Sequence, residues 1–126
     1  MAIMHKGRPR HNEAVITHLI GDVKGKTPIV IEDIIDTGGT IAQVVENLIA
    51  MGARHDVVLC ATHGVFSTPA DARLAHPAVA EVIVTDTLPV KAMPGVPLKV
   101  LPIAPLLAEA IGRVHYNLAL STIYMI

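Results

Sequence analysis

Ile29-Val30-Ile31-Glu32-Asp33-Ile34-Ile35-Asp36-Thr37-Gly38-Gly39-Thr40 is the stretch on which this 126-residue chain is organised. Its first half is apolar and β-branched, the composition of a buried strand. Two adjacent carboxylates, Glu32 and Asp33, close that strand. A Gly-Gly loop flanked by threonines follows, and a helix-periodic run begins at Ile41. A strand, a loop rich in backbone N–H groups and a helix N-terminus are together the usual means of holding a phosphate. The loop matches neither G-x-x-x-x-G-K-[ST] nor G-x-G-x-x-G, and taken alone it serves equally well as a tight turn. The acids add weight to the ligand reading. Neighbouring strand residues face opposite ways, so at most one of the pair is an ordinary exposed residue. A carboxylate drawn towards a buried edge needs partners. Sugar hydroxyls would supply them, and so would nearby backbone N–H groups.

Outward from this stretch, Ile41, Val44, Val45, Leu48 and Met51 recur at helical spacing, with Thr40 as the expected cap and Gly52 as the stop. Upstream, residues 5–11 are basic and contain Gly and Pro, which predicts an exposed loop. Asn12 is a candidate N-cap for a short helix carrying Val15, Ile16, Leu19 and Ile20, ended by Gly21. Downstream, residues 56–62 read as a strand apolar on both faces and therefore central in a parallel sheet. Thr68-Pro69-Ala70-Asp71 predicts a capping box with Pro69 at N1 of a short helix reaching about His76. Residues 81–85 and 98–103 predict two more strands, separated by a proline-rich loop. Pro105 is placed at N1 of a last helix whose buried stripe would be Leu106, Leu107, Ala110, Ile111 and Val114. Strands alternating with helices predict a doubly wound α/β fold, a mostly parallel sheet with flanking helices. Ligands of such sheets lie beyond the carboxyl ends of the strands, where Asp33–Thr40 and the loop of His63 would meet.

Composition bounds the function. Hydrophobic residues make up 52% and charged residues 17%, a heavy apolar load for one small domain. A face buried against another subunit or a further domain is expected. A net charge of −1 with 2% aromatic residues argues against a broad nucleic-acid surface. No run approaches the roughly 18 uninterrupted apolar residues of a membrane span, and the N-terminus has no apolar core of signal-peptide length. The single cysteine, Cys60, sits in an apolar strand, consistent with a reducing cytoplasm. Seven histidines form no ligand spacing, so no built-in metal site is expected. His63 is placed at the ligand edge, as support for a substrate site or as a structural hydrogen-bond partner.

Residues 30–40 resemble the phosphoribosyl-binding motif of the type I phosphoribosyltransferase fold. Ala61-Thr62-His63-Gly64-Val65-Phe66-Ser67, Val84-Thr85-Asp86-Thr87-Leu88-Pro89 and Leu107-Ala108-Glu109-Ala110-Ile111 narrow the likeness to the ribose-phosphate pyrophosphokinase family. Lys6-Gly7-Arg8-Pro9-Arg10-His11-Asn12 is similar to that family's flexible catalytic loop. The resemblance runs through nearly the whole chain in the right order. It implies diphosphoryl transfer from Mg-ATP to the C1 hydroxyl of ribose 5-phosphate, giving phosphoribosyl pyrophosphate, with Mg2+ entering alongside ATP. Glu32 and Asp33 would hold the ribose hydroxyls, with Asp36 at the sugar edge of the loop. Thr37, Gly38, Gly39 and Thr40 would bind the 5-phosphate. Lys6 and Arg8 would close over the ATP phosphates; judged by composition alone they are a solvated basic loop.

The chain departs from the family where His5 and Gly7 replace an acid and a second arginine, and where the Ser-rich regulatory tail is weakened to residues 119–124. The resemblance begins partway into the family's second domain. Residues 1–126 are therefore expected to form one C-terminal phosphoribosyltransferase-like domain without the ATP-binding domain, inactive alone and prone to homo-oligomerise. Two other functions remain open: a nucleobase phosphoribosyltransferase, and a non-catalytic module that binds to active synthetase subunits.

Overall fold

The computed structural model describes residues 3–10 and 13–124, with side chains from residue 21 to residue 123. β1 (Ile3–Arg10) and β2 (Glu13–Ile20) form an antiparallel pair, His5 beside His18 and Gly7 beside Val15. β3 (Ile29–Ile35), α1 (Gly39–Ala50), β4 (Val57–Gly64), α2 (Ala70–Leu74), β5 (Val79–Thr85), β6 (Leu98–Leu101) and α3 (Ala104–His115) follow. A short 3-10 turn at Leu120–Tyr124 comes last. β3 to β6 make a parallel four-stranded sheet in sequence order. The α/β class with a parallel sheet and flanking helices is the one expected, and β4 is an interior strand as its two apolar faces require.

The N-terminal expectation was wrong. Residues 5–10 are strand rather than loop, and residues 13–20 are strand rather than helix. Val15, Ile16, Thr17 and Ile20 are β-branched, stiff at χ1 and well suited to a pleated ladder. Their apolar spacing fits a helical face nearly as well, so the pairing with β1 decides. The proposed N-cap, Asn12, lies outside the described residues.

The core lies on one face of the large sheet. Val30, Leu59, Val82 and Leu98 stand side by side across the four strands, and Val57, Ala61 and Val84 extend this surface. Ile41 and Val45 of α1 cover it, as do Ala70 and Leu74 of α2, while Val44 and Leu48 form a smaller cluster with Val23 and Ala53 against Val30. Each fully buried side chain of this size contributes about 1.5–3 kcal/mol of burial free energy. Met51, expected in the same stripe, is exposed because the helix has ended. Gly52 (φ 85°) provides the left-handed turn that ends it. The amide of Ala53 donates to the Leu48 carbonyl (3.0 Å) and that of Gly52 to Ile49 (2.9 Å), which satisfies the last carbonyls.

The opposite face is open. Ile31, Cys60, Ile83 and Lys99 are its lateral row, and Ile29 and Ile31 are 65% and 79% exposed. The predicted stripe of α3 is not buried either: Leu106, Leu107, Ile111 and Val114 are all exposed, and α3 has no buried residue. Its amphipathic period is genuine, but the described residues do not supply the surface that would cover it.

Candidate functional site

The chain leaves the sheet at Ile35, which is 1% exposed and anchors the end of β3. Its carbonyl accepts the amides of Val65 (2.9 Å) and Phe66 (3.2 Å), tying the loop after β4 to the start of the Gly-Gly loop. Gly38 follows with φ 72° and ψ 1°, a left-handed conformation that only glycine adopts without cost. It stands at the N-cap of α1, whose first backbone bond runs from Ala42 to the Gly38 carbonyl (2.9 Å). Thr40 was expected to be the cap and is not. Gly38 occupies that position, Thr40 falls inside the first turn, and among the described residues the N-cap has no side-chain hydrogen bond. The positive end of the helix dipole thus opens at the Gly-Gly loop, the arrangement that favours an anion.

A cleft of about 230 Å³ lies at this point, lined by residues 32–41. Glu32, Asp33, Asp36, Thr37, Gly38, Gly39 and Thr40, all singled out from the sequence, come together in its wall. Glu32 is half-buried while Asp33 and Asp36 are exposed, as alternation along a strand end predicts. One Asp33 oxygen accepts the amide of Ile34 (2.8 Å), so part of the local-cap reading holds for this acid. Its other oxygen has no partner among the described residues. The cleft thus offers carboxylate acceptors at one end and a glycine-rich helix start at the other. That polarity suits a ligand with hydroxyls on one side and an anion on the other.

Lys6 and Arg8 fall in β1, on the antiparallel pair and apart from the large sheet; their side chains lie outside the described residues. His63 is engaged in the fold. Its Nδ1 is 2.8 Å from the Thr87 hydroxyl, which is 3.2 Å from the Thr62 carbonyl, and the Thr85 hydroxyl donates to the same carbonyl (2.7 Å). With Nδ1 protonated, His63 donates to Thr87 and Thr87 to Thr62, a chain in which every proton has an acceptor. Asp86 accepts the Ile103 amide (2.8 Å) and so tethers the entry to α3. The capping box expected at Thr68 is absent, because Pro69 itself takes the N-cap of α2.

Sequence reading missed Arg73. It projects from α2, and its Nη1 donates to the Thr37 carbonyl at 3.0 Å. A Cβ built on Gly39 would meet that nitrogen at 3.1 Å, and one on Gly38 would meet the Arg73 Cβ at 3.5 Å. Thirty-six residues separate Arg73 from Thr37. No spacing rule reaches that far; only the order of β3, β4 and α2 brings them together.

Fold and cleft define a parallel α/β domain with a ligand-sized site beyond the carboxyl end of β3. Comparison with known proteins narrows this class. Residues 6–125 match the family model described as the phosphoribosyl synthetase-associated domain. A ribose-phosphate pyrophosphokinase of Caldanaerobacter subterraneus subsp. tengcongensis is 44% identical over 125 residues, covering 98% of this chain and 39% of that protein. One from Corynebacterium efficiens is 48% identical over 126 residues, covering 98% and 38%. The crystal structure of phosphoribosylpyrophosphate synthetase from Mycobacterium smegmatis superposes with a TM-score of 0.74 at 50% identity, over 92% of this chain and 37% of that one. The chain belongs to the phosphoribosyl synthetase-associated domain family, and its curated relatives are ribose-phosphate pyrophosphokinases. It spans less than two fifths of the length of these relatives.

Proposed function

We propose that the cleft of residues 32–41 holds the phosphorylated ribose of a ribose-phosphate pyrophosphokinase site, and that residues 1–126 form the C-terminal, sugar-binding domain of such an enzyme. The carrying observation is the uncapped start of α1 at left-handed Gly38, facing a cleft with Glu32 and Asp33 in its wall. The amides of the loop point towards a 5-phosphate, and the Thr37 and Thr40 hydroxyls add to them. Glu32 and Asp33 accept from the ribose hydroxyls, with Asp36 at the sugar edge. Lys6 and Arg8 close over the phosphates of ATP and offset charge on the transferring group, the main contribution a protein makes to such chemistry.

The nucleotide is held by the part of the enzyme that this chain does not span, so the chain alone binds sugar phosphate and turns over little. Mg2+ arrives with the ATP phosphates. Magnesium needs only one or two protein carboxylates beside phosphate and water. Among the described residues no three acids, histidines or cysteines gather into a cage for it. A reducing cytoplasm and a homo-oligomeric state complete the proposal, the latter supported by the open sheet face. Calorimetric titration of ribose 5-phosphate into the wild type and Asp33→Ala tests it. Saturable binding weakened in the variant supports the assignment, and equal binding in both removes it.

A second reading, assembly without catalysis, is favoured by one observation: the exposed Ile29, Ile31, Leu107 and Ile111. Here the open face docks on the complementary part of a ribose-phosphate pyrophosphokinase, the three fifths or so that its relatives possess in addition. Co-purification with that part, and loss of it in Ile31→Lys, would separate this reading from the first.

A further inference from the structure

Resting on the reading of residues 32–41 as a sugar-phosphate site, we infer that Arg73 is its positioning residue, a cationic clamp behind the Gly38-Gly39 loop. Four observations carry this. The Arg73 Nη1 donates to the carbonyl of Thr37, the residue immediately before the left-handed glycine. The space behind both glycines is filled by α2: Arg73 beside Gly39, and Arg73, Leu74 and Ala70 beside Gly38. Leu74 and Ala70 are each 1% exposed, so the helix carrying the arginine is fixed in the core. Finally, among the described residues the cleft is lined by 32–41 and not by Arg73, which puts the guanidinium at the rear of the loop and not in the ligand's place.

The physical consequences are two. A carbonyl held from behind turns its peptide plane, and with it the direction of the next amide, that of Gly38. Arg73 thereby fixes the aim of the loop before any ligand arrives, and preorganised donors cost nothing to reorganise. The second consequence is charge. Arg73 makes no ion pair among the described residues, so its positive charge is not cancelled locally and adds to the field of the helix N-terminus. The guanidinium matters as well as its charge, since the Nη1 that binds Thr37 also stands 3.1 Å, and the Cζ 3.6 Å, from where a Cβ on Gly39 would be, so one group spans both residues.

Arg73 is exposed and makes no other hydrogen bond from its side chain among the described residues, so Arg73→Ala should fold. The experiment measures backbone 15N order parameters at Gly38 and Gly39, together with affinity for inorganic phosphate and for ribose 5-phosphate, in the wild type, Arg73→Ala, Arg73→Lys and Asp33→Ala. In Arg73→Ala, the order parameters of the two glycines should fall and affinity for both ligands should drop by about 3–10-fold, the size of one net hydrogen bond acting through the loop. Arg73→Lys should restore much of the affinity and less of the backbone order. Asp33→Ala should lose ribose 5-phosphate affinity while keeping inorganic phosphate affinity and normal order at the glycines. Unchanged order and unchanged phosphate affinity in Arg73→Ala would overturn the clamp. If the wild type takes no ribose 5-phosphate, the functional reading fails, and the order parameters of the glycines still decide the role of Arg73.

Discussion

Ile31 of β3 and Cys60 of β4 are lateral neighbours on the sheet face that the described helices leave open, and the first of them is 79% exposed. Partial burial raises the pKa of the Cys60 thiol, and the negative charge of Glu81 on the adjoining strand raises it further. The thiolate is the reactive form. Alkylation of Cys60 by iodoacetamide in mildly alkaline buffer should therefore run slower than that of free cysteine, and should slow again when the open face is covered by a partner. Mass spectrometry of timed samples reads both effects. A rate equal to free cysteine would contradict the first, and equal rates with and without a bound partner the second.

The same face makes a sharp contrast with the core. Ile31→Thr should shift stability by no more than about 0.5 kcal/mol, because that side chain already sits in water and threonine keeps β-branching. Leu59→Ala, at 0% exposure, should cost about 2–5 kcal/mol through lost burial and the cavity left behind. Urea unfolding of the two variants beside the wild type checks the pair. Sedimentation of Ile31→Thr should also show less self-association.

Gly38→Ala tests the loop itself. With φ at 72°, an added Cβ meets backbone strain of about 1–2 kcal/mol. The neighbouring contacts at 3.5–3.7 Å are ordinary, so strain and not collision is the cause. A fall in stability of that size is expected, accompanied by weaker binding of inorganic phosphate. Wild-type stability in this variant would mean that the left-handed turn is not required.

Asp56 gives the chain an acid limb. Partial desolvation pushes its pKa up, but the hydrogen bonds from the Thr27 hydroxyl and the Arg54 guanidinium outweigh that, and the folded-state value lies below the ordinary carboxylate range. A depressed folded pKa adds stability above the unfolded value of about 3.9, and this is lost as pH falls through the folded value. The urea midpoints of wild type and Asp56→Asn should therefore differ at neutral pH and converge in acid. A gap that persists in acid would assign the effect to geometry and not to charge.

Local chemistry made much of this legible in the sequence. The helical period of Ile41 to Leu48, the stop at Gly52 and the polar run after β3 each rest on interactions within a few residues. What sequence could not place depends on partners distant in the chain. Residues 13–20 fit a helix and a strand almost equally until β1 is beside them. The stripe of α3 announces a buried face without saying what buries it, and that surface is not among the described residues. Thr40 was the natural cap by residue type, yet the left-handed Gly38 took the position. Arg73 joins Thr37 only because two crossovers bring α2 behind the loop.

The most direct test of the central claim is an NMR titration of the isotopically labelled chain with ribose 5-phosphate, following each backbone amide. Saturable shifts concentrated in residues 32–41, largest at Gly38 and Gly39, are expected. No shift at millimolar ligand, or shifts centred elsewhere on the chain, would contradict it.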